Sequence, residues 1–171
     1  RGPRLELFVS TQTPYMDRDE VAQVLGIAPD QVRIIPSAVG GGFGGKLDCS
    51  VQPLLAVAAW ILEKPIRCTF TRPESLASST KRHPAKMKAS ASCDKNGILT
   101  SLCFEGDFNT GAYASWGPTV ADRVPIHCSG PYFVPNILAK TRALLTNGPP
   151  SGAFRGFGVP QSAIAHEALM D

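Results

Sequence analysis

Ala85-Lys86-Met87-Lys88-Ala89-Ser90-Ala91-Ser92-Cys93 and Ile98-Leu99-Thr100-Ser101-Leu102-Cys103-Phe104-Glu105-Gly106-Asp107-Phe108 flank the tetrapeptide Asp94-Lys95-Asn96-Gly97. Two extended runs around Asn-Gly predict a long β-hairpin closed by a tight turn with positive φ. Toward the N-terminus, Ile66–Thr71 reads as a strand and the apolar, Ala-rich Ser50–Leu62 as a buried helix. Val32–Ile35 reads as a short buried strand. Pro14 and Asp17–Glu20 open a helix to about Leu25 with Val21, Val24 and Leu25 on one face, and Gly26 stops it. Leu5–Val9 alternates like a strand. Toward the C-terminus, Gly111–Pro118 is irregular, and Val120–Cys128 reads as a short helix limited by Pro125. Ile137–Leu145 is a strand, Gly148–Phe157 a loop and Val159–Met170 an amphipathic helix. Alternating strands and helices plus one long hairpin predict an α/β (α+β) fold. No repeat or linker interrupts it, so residues 1–171 read as a single domain.

The composition, 43% hydrophobic and 18% charged, is that of a globular chain. A net charge of +3 is mild. The densest basic run, Lys81-Arg82-His83 with Lys86 and Lys88, is short and suits a solvated strand edge, so nucleic acid is not an expected partner. Five cysteines, Cys49, Cys68, Cys93, Cys103 and Cys128, form no CxxC pair. This argues against a zinc knuckle, an iron–sulfur cluster or a disulfide scaffold, and favours buried free thiols in a reducing compartment, hence cytoplasm. The longest apolar stretch, Leu54–Leu62, is too short to span a bilayer, so no membrane association is expected. Both ends look cut: Arg1-Gly2-Pro3 directly precedes a strand, and Leu169-Met170-Asp171 closes a helix without a cap. The chain therefore reads as a fragment of a larger subunit.

Gly40-Gly41-Gly42-Phe43-Gly44-Gly45-Lys46 holds five glycines in its first six residues. Such density costs unfolded-state entropy and suits close backbone approach to a ligand, with N–H groups turned toward an anion or metal-oxo group. A following helix N-terminus adds partial positive charge. Phe43 would be wasted in a merely flexible loop. The P-loop spacing is absent, with Leu47 where Ser or Thr would follow the lysine. The dinucleotide fingerprint is weak, because Pro36–Val39 separates strand from glycines. A second loop, Ser151-Gly152-Ala153-Phe154-Arg155-Gly156-Phe157-Gly158, again joins strand to helix and sets one arginine among aromatic rings and glycines. Its structural alternative is a rigid turn whose Phe154 and Phe157 plug the core.

Five ordered motifs run through the whole chain: Val9-Ser10-Thr11-Gln12, the Gly40–Lys46 loop, Arg82-His83-Pro84, Gly130-Pro131-Tyr132 with Val134-Pro135-Asn136, and Ala153–Gly158 with Pro160-Gln161. Together they resemble the molybdenum-cofactor-binding subunit of the xanthine dehydrogenase and aldehyde oxidase family. The resemblance implies a molybdenum-binding subdomain with a mixed sheet, the long hairpin and packed helices, forming the N-terminal part of the molybdopterin-binding region. It implies hydroxylation of aldehydes or N-heterocycles with water as the oxygen source. The resemblance further implies molybdenum–molybdopterin as the cofactor, with the cytosine dinucleotide form as one option, electron transfer to 2Fe-2S and FAD partner domains or subunits, and a homo-oligomeric full enzyme.

By position, the resemblance makes Gln12, Gly42, Phe43, Gly44 and Arg155 cofactor-binding. Gln12 (side chain), Phe43 and Arg155 (chiefly backbone) contact the ligands of the metal. Leu47, Arg123 and Phe157 become substrate positions, with Phe157 stacking on a planar ring. Purine-hydroxylating members carry a glutamate where this chain has Leu47, and leucine cannot hydrogen-bond a purine, which points to a less polar aldehyde or heterocycle. Arg123 stands at a substrate-arginine position, while Asp122 beside it equally suits a structural ion pair or helix-end charge. His83 matches a family histidine and is read as structural. No catalytic residue is expected here: the family's base is a glutamate further downstream, and Glu167 lacks its context. The fragment alone is expected to be inactive. The competing reading is a non-catalytic assembly or scaffold paralogue that binds partner subunits only.

Overall fold

A computed structural model of the chain describes residues 4–171; Arg1-Gly2-Pro3, expected to be a cut end, lies outside them. The chain divides into two compact units, one ending at Thr80 and one spanning Lys81–Asp171. The boundary, Ser78-Ser79-Thr80-Lys81, is short and carries no proline or glycine, and the sequence reads as one domain across it.

In the first unit, β1 (Leu5–Val9) pairs in parallel with β2 (Val32–Pro36), Leu5 opposite Val32 and Val9 opposite Pro36. Parallel strands need a crossover, and α1 (Pro14–Leu25) supplies it, ending where Gly26 turns left-handed at φ 67°. Leu7, Val21, Ala22, Val32 and Ala56, the last from α2 (Gln52–Leu62), form the core. The inner face of α1 differs from expectation: Val24 is exposed, and Asp17 is buried beside Val21 and Ala22. The carboxylate tolerates burial because Cys49 Sγ (3.4 Å) and Gln52 Nε2 (3.3 Å) donate to it. Burial and the neighbouring acids Glu20 and Asp17 push the Cys49 thiol far above its ordinary range, so it stays protonated as a donor.

Three expectations for this unit are corrected. The helix predicted over residues 50–62 begins at Gln52 and is not buried as a whole; Leu54, Ile61 and Leu62 are exposed. An apolar helix has more faces than α1 and β1 can cover. Ile66–Thr71 forms no strand. It leads instead into α3 (Arg72–Ser78), whose signal is a capping box: Thr71 Oγ1 accepts from the Glu74 N–H and Glu74 Oε2 accepts from the Thr71 N–H.

In the second unit, β3 (Ala85–Cys93) runs antiparallel to β4 (Leu99–Gly111), and β4 runs parallel to β5 (Ile137–Leu145), giving the mixed sheet. Its turn is wider than a two-residue hairpin. Asp94 Oδ1 accepts from the N–H groups of Asn96 and Ile98, and only Gly97 of the turn has positive φ. One sheet face buries Leu102, Phe104 and Phe108 against Ala121, Val124 and Cys128, contributed by or bordering α4 (Gly117–His127). Of the basic run, only Lys86 and Lys88 lie exposed on the edge strand β3; Lys81 and Arg82 are half-buried and His83 is buried, all three ahead of the strand, because they pack on the loop at residues 150–161.

The last helix, α5 (Val159–Met170), is not simply amphipathic: its buried residues are Gln161, Ser162 and His166, while Ile164 is exposed. The cysteine reading also needs correction. All five are free, but Cys68 and Cys93 are exposed and only Cys128 is buried. Among the described residues no helix is long and apolar enough to cross a membrane.

Candidate functional site

Each unit carries one glycine loop built around a phenylalanine. In the first unit, the chain leaving β1 is laced to the Gly40–Lys46 loop. The Gln12 N–H donates to Lys46 O (3.0 Å), and Gln12 Oε1 accepts from the N–H groups of Gly44 (3.1 Å) and Lys46 (3.3 Å). Thr13 Oγ1 donates to the Leu47 carbonyl (2.9 Å). Lys46 Nζ donates to Ser10 Oγ (2.6 Å) and to the Val39 carbonyl, clasping both ends of the loop. Lys46 forms no ion pair among the described residues. Its charge therefore stays beside the loop and favours a nearby anion.

The glycine at position 42 is required by contact: a Cβ built there would sit 2.2 Å from Gln12 Cδ. With Oε1 spent on the loop, the Gln12 amide retains its Nε2 as a hydrogen-bond donor. The Gly44 N–H, expected to face a ligand, serves Gln12 instead. Phe43 is 62% exposed at φ 53°, a conformation that disfavours any residue with a Cβ. The loop does not run straight into a helix, since α2 begins only at Gln52. The expected help from a helix N-terminus is therefore missing.

The second unit repeats the device. Gly156, Phe157 and Gly158 all have positive φ, at 87°, 47° and 96°. A side chain at Gly158 would lie 2.7 Å from the Val120 carbonyl, so α4 packs directly on the loop backbone. Neither aromatic ring plugs the core. Arg82 lies over Phe154 at 4.9 Å, and Arg123 lies over Phe157 at 5.6 Å. Trp116, which sequence reasoning passed over, meets Phe157 edge-on at 6.1 Å between ring centroids. Trp116, the N-cap of α4, and Arg123, in the middle of that helix, stand about two helical turns apart, a spacing visible in the sequence once the helix start is known. No ion pair joins Asp122 to Arg123 among the described residues. The structure thus brings Arg123 and Phe157 together, while Leu47 is half-buried in the first unit.

His83 is buried in the second unit. Its carbonyl accepts from Gln161 Nε2 (3.2 Å), tying it to α5, and burial, aided by the charge of Arg82, pushes its imidazole pKa down. This agrees with a structural role. Glu167, exposed at the end of α5, accepts from Tyr132 Oη (2.9 Å) and meets His166 Nε2 at 3.2 Å. Among the described residues no cluster of His, Cys, Asp and Glu has the arrangement of a metal-ligand set.

The sequence profile of the molybdopterin cofactor-binding domain matches residues 1–171. The chain is similar to the nicotinate dehydrogenase large molybdopterin subunit of Eubacterium barkeri, at 47% identity over 167 residues, covering 98% of the chain and 39% of that protein. It is 33% identical over 168 residues to the xanthine dehydrogenase/oxidase of Mus musculus, covering 97% of the chain and 13% of that protein. Among solved structures, aldehyde oxidoreductase from Desulfovibrio gigas superposes with a TM-score of 0.91 at 28% identity, covering 97% of the chain and 18% of that protein. Quinoline 2-oxidoreductase from Pseudomonas putida gives 0.88 at 29%, covering 98% and 22%. The chain therefore spans well under half the length of these relatives.

Proposed function

The chain belongs to the molybdopterin cofactor-binding domain family, and from that premise we propose that it is the N-terminal part of the molybdopterin-binding region of an oxidoreductase that hydroxylates aldehydes or N-heterocycles. The observation that carries this reading is the Gln12 side chain held across Gly42, with Oε1 fastened to the loop and Nε2 left as a donor. An amide fixed in this way suits an oxo-type acceptor and needs no reorganisation to meet it. Each unit taken by itself fits contact with the group: in the first, Gln12 Nε2 and the backbone at Phe43 would meet it, with Gly44 holding the Gln12 amide in place, and in the second the backbone at Arg155 is the expected contact. Phe43 and Phe157 sit in strained backbone conformations costing of order 1–3 kcal/mol each, and such strain clusters at ligand clamps. When bound, the cofactor supplies oxygen transfer from water and accepts two electrons.

For the substrate, a flat N-heterocycle or aromatic aldehyde on Phe157 fits best. The ring is set by the edge of Trp116, and Arg123 places positive charge beside it for an electron-rich or anionic substituent. Leu47 offers no hydrogen bond to a purine, and the 47% identical relative is named for nicotinate. The remaining parts of this reading are the cytosine dinucleotide form of the cofactor, 2Fe-2S and FAD on partner domains or subunits, a homo-oligomeric full enzyme and a cytoplasmic location. The test is molybdenum and released pterin per chain in the longest natural polypeptide containing these residues. Near-stoichiometric values are expected. Neither metal nor pterin, in a host that makes the cofactor, would overturn the reading in favour of a scaffold paralogue.

A further inference from the structure

Three successive residues, Lys81, Arg82 and His83, hold the second loop at both ends and in the middle. The Lys81 N–H donates to Pro150 O (3.3 Å) and Lys81 O accepts from the Gly152 N–H (3.0 Å), forming a bridge with Ser151. His83 O accepts from Gln161 Nε2 (3.2 Å) beyond the loop. Between them, Arg82 Nη2 donates to the Arg155 carbonyl (2.6 Å) while its guanidinium covers the Phe154 ring. Arg82 has no carboxylate partner among the described residues, so this neutral carbonyl is its polar anchor.

Holding that carbonyl has a consequence for the next residue. In a trans peptide the C=O and the following N–H point in opposite directions. With Arg155 O turned toward Arg82, the Gly156 N–H is turned away from it. Gly156 is exposed at φ 87°, and its N–H makes no hydrogen bond among the described residues. A side chain there would lie 2.6 Å from Pro160 Cδ, so the position is kept to bare backbone.

We propose that Arg82 is a positioning residue: by gripping the Arg155 carbonyl it aims the Gly156 N–H as a donor, beside the Arg155 backbone, toward the bound cofactor or substrate. This rests on the function proposed above. A purely structural alternative is that Arg82 merely covers Phe154.

The test uses the complete protein and the variants Arg82→Met, Arg82→Lys and Phe154→Leu. Arg82→Gln serves if Arg82→Met does not accumulate, since its shorter amide reaches neither ring nor carbonyl. Molybdenum per chain, deuterium uptake of the peptide spanning residues 153–158, kcat and KM are measured on each. Arg82→Met is expected to take up deuterium faster in that peptide at an unchanged melting temperature. Its kcat should fall about tenfold or more, with KM within about twofold. Arg82→Lys, which still donates to the carbonyl, should restore most of kcat, and Phe154→Leu should keep it. Wild-type uptake or wild-type kcat in Arg82→Met would overturn the proposal, as would an equal loss in Phe154→Leu. Absence of molybdenum from the wild-type protein would overturn the function and the ligand at Gly156, whereas the uptake comparison decides the brace by itself.

Discussion

Gln12 lies across the bare backbone of Gly42, so close that a Cβ on Gly42 would fall 2.2 Å from Gln12 Cδ and 2.4 Å from Oε1. Two residues thirty positions apart thus define one another: the glycine exists to let the amide pass, and the amide fastens the loop.

Gly42→Ala should therefore displace Gln12 from the Gly44 and Lys46 N–H groups. We expect a stability cost of about 1–3 kcal/mol, with loss of most of the bound molybdenum. Adding Gln12→Ala should relieve the clash and recover stability but not metal. Melting temperature and metal content of the single and double variants check this, and full metal in Gly42→Ala would remove Gln12 from the cofactor site.

Trp116 is expected to act through Phe157. Trp116→Ala removes an edge-on aromatic contact of about 0.5–1.5 kcal/mol. KM for a flat heterocycle should rise several-fold at nearly constant kcat, while a small aliphatic aldehyde should show little change. Steady-state kinetics with both substrate types distinguish this from a general loss of fold, which would lower kcat for both.

A purely architectural prediction concerns Gly130. Its φ is 58°, and a Cβ would lie 2.5 Å from His166 Nε2, which is buried against the turn. Gly130→Ala should cost about 2–4 kcal/mol in urea unfolding, from overpacking plus left-handed strain. Tyr132→Phe, which removes only a donor to the exposed Glu167, should cost far less.

His83 predicts a pH dependence. Burial, then the charge of Arg82, hold its folded pKa below the ordinary 6.5. The unfolded chain therefore binds a proton that the folded chain refuses. The stability contribution is complete above about pH 6.5 and is lost progressively as pH falls toward the folded pKa. Urea midpoints measured from about pH 7.5 to 5 should fall more steeply for the wild type than for His83→Gln, and parallel curves would remove His83 from the account.

The order of elements was legible because local chemistry decides it. Alternation marked β1, Gly26 capped α1, and the Asn-Gly pair marked the turn between β3 and β4. The Thr71–Glu74 capping box was equally local and was hidden only by the apolar run before it. The motif residues were legible too, since glycines grouped around aromatic rings stand out in the sequence.

What the sequence determined by itself was therefore most of the elements, α3 and the strand expected before it excepted, together with the two glycine loops and the family. Only the tertiary structure decided what each loop donor and ring faces: Oε1 of Gln12 turned to Gly44 and Lys46, Arg82 on the Arg155 carbonyl, and Trp116 and Arg123 around Phe157. It also decided that Asp17 is buried and Val24 is not. The physical reason is range. Caps, turns and periodicity act within a few residues, whereas these contacts join positions 32–73 apart or depend on which face a helix turns to its neighbour, and no local propensity encodes that.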